Sequence, residues 1–154
     1  MLGMIDRQVF DSLEENALIW ACIHPLIHEI RGKDPIIKTE VYSSLTKGQR
    51  ALLMFQILYG HTSGGAAEFF QMEDLLSIKG IWNELKKSMQ YFGDDAMLSL
   101  LSEIEKAYTS GNTGRNTINA IDRKLQVRLP ESIKLICSYI RSNPGEFVRF
   151  GEKT

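Results

Sequence analysis

Apolar positions along the chain step mostly by threes and fours, the period of a helix with one buried face. From Asp6 the series Val9, Phe10, Leu13, Ala17, Trp20, Ile23, Ile27, Ile30 marks one helical face, with Pro25 set to kink it or begin a new turn. Arg31-Gly32-Lys33 reads as a stop, and Asp34-Pro35 as a turn that restarts the chain. Residues 36–42 fit either a strand or a helix, being short and rich in β-branched side chains. Thr46 and Gln49 have the spacing of a capping box, with Leu45 placed to staple onto the next turn. The helix they open is apolar on most faces through Ala51, Leu52, Met54, Phe55, Leu58 and Tyr59, which predicts a central position and an end at Gly60.

A further helical pattern covers residues 73–92, with Leu75, Leu76, Ile78, Ile81, Trp82, Leu85 and Met89 inward. Gly80 inside it predicts a pause or a close backbone approach. Gly93 stops that helix, and Asp94 is placed to cap the next, over residues 95–108. TSGNTG at 109–114 is a loop. Ile118, Ile121, Leu125 and Leu129 form another stripe, Pro130 breaks it or opens a new turn, and Ile133, Ile136 and Ile140 carry a last helix to Asn143-Pro144-Gly145. Residues 146–150 read as an aromatic tail folding back on the body, and no hairpin signal stands out. The expectation is an all-α fold, a single-domain orthogonal bundle of six to eight helices over residues 1–154.

Composition supports a globular chain: 154 residues, 44% hydrophobic and 24% charged, enough to build a core without a metal or a disulfide. Cys22 and Cys137 each sit inside an apolar helical pattern and read as small core thiols. No leader pattern and no membrane-length apolar run is visible, so the expected place is the cytoplasm. Net charge is −1, which disfavours nucleic acid as a partner. Residues 60–108 hold 8 acids against 4 bases, whereas residues 109–154 hold 8 bases against 4 acids. The acidic middle offers Glu68, Glu73, Asp74, Glu84, Asp94 and Asp95 as a partner-binding surface.

The stretch LYGHTSGGAAEFFQ at 58–71 departs from the surrounding helical patterns. It lacks the Gly-Lys-Ser/Thr ending and the G-x-G-x-x-G spacing of phosphate loops. Gly64 and Gly65 are therefore expected to form a sharp turn that delivers Phe69 and Phe70 into the core. Leu45-Thr46-Lys47-Gly48-Gln49-Arg50, then Gly64-Gly65, Phe69-Phe70, Tyr139-Ile140-Arg141 and Phe147, together resemble a helical bacterial domain family. That family is mostly uncharacterised and includes a DNA mimic protein (the DMP-nineteen-like domain). The resemblance covers residues 45–150; Thr62 and Ser63 stand where the family has asparagines, and Ala66 replaces its first aromatic. It implies an all-helical fold, often dimeric, and no established catalytic residues.

The one cluster that invites catalysis is His24-Pro25-Leu26-Ile27-His28, two histidines four residues apart that could share a metal. Pro25 disturbs the turn between them, and a third ligand, His61 or an acid, would have to come from elsewhere. Ser63 lacks the G-x-S-x-G frame of a nucleophile elbow. The expected function is a non-enzymatic interaction or regulatory domain without a cofactor. It would engage a protein partner, alone or as a homodimer, and the alternative is a metal-dependent enzyme built on His24 and His28.

Overall fold

A computed structural model describes residues 2–151. They form nine α-helices, a 3₁₀ turn at Pro144–Glu146 and two three-residue strands, so the fold is all-α apart from one small strand pair. The helices are α1 Arg7–Ser12, α2 Glu15–Ile30, α3 Pro35–Ser44, α4 Lys47–Thr62, α5 Ala66–Phe70, α6 Glu73–Leu76, α7 Ile81–Phe92, α8 Asp95–Thr109 and α9 Arg115–Ser142. The strands are β1 Gly3–Ile5 and β2 Val148–Phe150. The chain divides into two compact units. Unit 1 takes the described residues up to Leu53 and from Ile133 onward, and unit 2 is the continuous stretch Met54–Ser132.

In unit 1, Asp6 caps α1 by accepting from the amides of Gln8 and Val9. The first apolar face is not the continuous one expected. The chain breaks at Leu13–Glu14, which resets the helical phase, so α2 buries Leu18, Ile19, Cys22, Ile23 and Leu26. Ala17 and Trp20 consequently face outward, Trp20 at 52% exposure, and Val9 on α1 is exposed as well. Pro25 is carried inside α2 without ending it. Residues 36–42 are helical, because Asp34 caps α3 through the Ile37 amide and Pro35 occupies its first turn.

The capping box at α4 is reciprocal: Gln49 N–H donates to Thr46 Oγ1 and Thr46 N–H donates to Gln49 Oε1, both at 3.0 Å. The Thr46 hydroxyl also donates to the Glu146 carbonyl. The aromatic tail does fold back, and as a strand: β2 pairs in parallel with β1, Gly3 opposite Val148 and Ile5 opposite Phe150. Three residues in each strand are too few to show an alternating pattern, which is why the sequence hides them. Phe10, Ile136, Ile140 and Phe147 lie in this unit's core.

Unit 2 holds α5 to α8 with the adjoining parts of α4 and α9. Its core is built on Phe55, Leu58, Phe69, Leu85, Met89, Met97, Leu101, Ile104, Ile121 and Leu125. Gly60 does not end α4; the helix continues to Thr62, whose hydroxyl donates back to the Leu58 carbonyl. Gly80 does mark a pause: it adopts φ +82° and separates α6 from α7, leaving Ile78 in the turn, 54% exposed rather than inward. Gly93, at φ +71°, ends α7 as expected.

Candidate functional site

The glycine pair has a structural role. Gly65 lies at φ +116°, ψ 156°, a region open essentially to glycine alone. The turn throws α5 inward, so that Phe69 and Phe70 are both buried. There they join Trp82 and Tyr108 in one aromatic group, Phe69 edge-on to Trp82 at 5.9 Å and Phe70 stacked on Tyr108 at 6.2 Å. A carboxylate does sit at these amides, and it is the chain's own. The Asp122 side chain on α9 accepts from the Ala66 N–H, capping α5 from a helix distant in sequence. A Cβ on Gly65 would lie 3.5 Å from the Asp122 carboxylate.

The six acids proposed as a binding surface divide. Glu68, Glu73, Asp74 and Asp95 are exposed and make no ion pair among the described residues. Glu84 is half-buried and pairs with Lys87 at 3.2 Å. Asp94 cannot belong to the surface, being 1% exposed. Its carboxylate accepts from the Met97 amide, receives the Ser132 hydroxyl and faces the Arg128 guanidinium at 3.5 Å. The N-cap role expected of it explains that burial: a cap whose other oxygen is claimed by α9 is drawn inward. Glu73 and Asp74 open α6, and Ile78, exposed in the turn that follows it, is the apolar side chain missing from the sequence-based surface. Its register reads as inward only if residues 73–92 are taken as one helix.

His24 and His28 do share an exposed stripe of α2 with Trp20, the two imidazoles 6.5 Å apart between ring centres. Among the described residues no group of three or more His, Cys, Asp or Glu side chains is placed to hold a metal ion. Cys22 and Cys137 are buried free thiols in unit 1. Burial above all, with the neighbouring Cys137, pushes the Cys22 thiol up to about 12. Burial and then the Glu15 carboxylate push Cys137 up to about 11, and the Arg141 charge opposes this. Neither is a poised nucleophile at neutral pH. No described helix is long and apolar enough to cross a membrane.

Compared with protein-family models, with characterised proteins and with solved structures, the chain matches none.

Proposed function

We propose that this chain is a non-enzymatic interaction domain that engages a protein partner through the exposed edge formed by α5, α6 and the turn before α7. The observation that carries this reading is Ile78, 54% exposed in the turn after the helix that Glu73 and Asp74 open, two carboxylates that make no ion pair among the described residues. Unspent charge accelerates encounter, and a small apolar side chain among it supplies the anchor. Glu68 on α5 and Asp95 at the start of α8 are further exposed acids without an ion pair among the described residues. The helix dipole favours acids in these first turns, which accounts for their position and leaves Ile78 unexplained by folding alone.

The resembling family's DNA mimicry is a narrower version of this reading. A mimic needs rows of carboxylates at phosphate-like intervals, because phosphate charge dominates what a DNA-binding partner feels. Exposed Lys79, Lys87 and Lys106 interleave with the acids here, which favours an ordinary protein partner. A metal enzyme built on His24 and His28 has the shared stripe in its favour, and among the described residues no third ligand to complete it.

Affinity capture from the native host tests the proposal. A partner held by the wild type should be lost with Ile78→Asp and with Glu73→Lys/Asp74→Lys, both exposed changes that leave the helical circular dichroism intact. A partner retained by both variants would overturn the assignment of the surface. Stoichiometric transition metal in the purified protein, lost in His24→Ala, would move the function to the histidine stripe.

A further inference from the structure

Two imidazoles stand together on the outer side of α2 in unit 1. His24 and His28 are both exposed, with their ring centres 6.5 Å apart. The pair survives Pro25 because α2 runs unbroken from Glu15 to Ile30, so residues four apart stay one above the other on the same face. Neither ring makes a hydrogen bond or an ion pair among the described residues, so folding leaves their nitrogens available to a ligand. Trp20, one turn earlier on the same stripe, is also exposed, its ring 5.1 Å from that of His24.

A zinc ion bound at about 2.0 Å by a nitrogen of each ring would set the ring centres about 5 Å apart at a tetrahedral angle. The observed spacing is wider by about 1.5 Å on that geometry. Small rotations of the two side chains close the gap, and exposed rings are free to make them. Imidazole is a natural ligand for zinc, but a closed zinc site takes four ligands and the pair offers two. Among the described residues of one chain no further His, Cys, Asp or Glu is placed to complete it. A second copy turned about a twofold axis supplies two identical imidazoles, the number that is missing. Because both rings are exposed on a helix face, the pair can meet its own image. The same approach covers the Trp20 indole and gives the contact an apolar component.

We propose that His24 and His28 form half of a zinc site, and that two copies of this chain close one tetrahedral zinc ion between their α2 helices. The metal is structural. All four positions are taken by imidazole nitrogens, so none is open to water or substrate. The site therefore differs from an enzyme centre built on the same two residues, which would hold one metal in each chain with a position left open. The inference uses no residue of the α5–α6 edge, and changes at Glu73, Asp74 or Ile78 leave it untouched, so the two readings can fail separately.

The purified chain, stripped with a chelator and titrated with zinc(II), provides the test. Analytical ultracentrifugation should show a monomer converting to a dimer, complete at one metal per two chains and reversed by added chelator. His24→Ala and His28→Ala should each abolish the zinc-dependent dimer. Both positions are exposed, and an unchanged thermal transition in chelator confirms that each variant is folded. Zinc should also move the tryptophan emission to shorter wavelength, a shift lost in Trp20→Phe although the dimer still forms. A chain that stays monomeric throughout the titration would overturn the proposal, as would zinc-dependent association that both histidine variants retain. Zinc bound at one per chain without a change in mass would overturn it by placing a complete centre inside one copy. A dimer that persists in chelator and dissolves with Trp20→Asp would overturn it by joining the copies through an apolar contact without metal.

Discussion

Gly64 and Gly65 are adjacent yet constrained differently. Gly65 needs its positive φ, so Gly65→Ala should cost about 1–3 kcal/mol in chemical denaturation. At Gly64 φ is ordinary, and an added Cβ meets only the end of the Glu68 side chain, at 2.5 Å. That side chain can swing away, so Gly64→Ala should cost far less. Equal losses at the two positions would show that this account of the turn is wrong. Asp94 is the more demanding residue: Asp94→Ala removes a helix cap and strands Arg128 without its carboxylate, for a loss of about 3 kcal/mol. Asp94→Asn, which retains the cap acceptor, should lose less. The thiols set a pH limit. Both native pKa values lie above the usual thiol value, so above about pH 9 the unfolded chain releases protons that the native one keeps. Stability contributed by the protonated thiols is therefore constant at neutral pH and falls as pH rises from 9 towards 11–12. Urea titrations at pH 7, 9 and 10.5 would expose a flat profile if the burial were wrong. At neutral pH a thiol reagent should label neither cysteine until the protein unfolds.

At the scale of elements, caps and stops were the most legible part of the sequence, because each depends on a few neighbouring residues. Thr46 with Gln49, Asp94 and Gly93 act where their spacing placed them. Thr46→Ala should lower stability by about 1 kcal/mol, checked by the thermal midpoint. Phase was less legible. Nothing in the run from Val9 to Ile30 announces the break at Leu13–Glu14, and that break decides whether Trp20 points in or out. Long-range partners were hidden altogether: Asp122 caps a helix more than fifty residues away, and no local pattern encodes that. Of the candidate surface, residue type marked the acids, whereas exposure of Ile78 depended on the turn that holds it. Pro25 has a comparable non-local consequence. Its ring lies where a Cβ on Gly3 would fall, at 2.9 Å, so Gly3→Ala should destabilise by about 1 kcal/mol. Pro25→Ala should relieve that penalty, and the double variant should be non-additive by double-mutant cycle. Simple additivity would refute the contact.

For the whole molecule, the decisive feature is that unit 2 is one continuous stretch and unit 1 is assembled from both sides of it. The β1–β2 pair is the clearest sign of this, joining Gly3–Ile5 to Val148–Phe150. On the ribosome, where chains emerge amino-end first, this inverts the usual order. The middle of the protein can collapse around its aromatic group as soon as α9 begins to emerge. Phe10 and Leu18 must wait uncovered until the stretch from Ile133 to Phe150 has also been made. The vulnerable interval is therefore the synthesis of Met54–Ser132, during which the first half of unit 1 is the segment that a chaperone would have to shield.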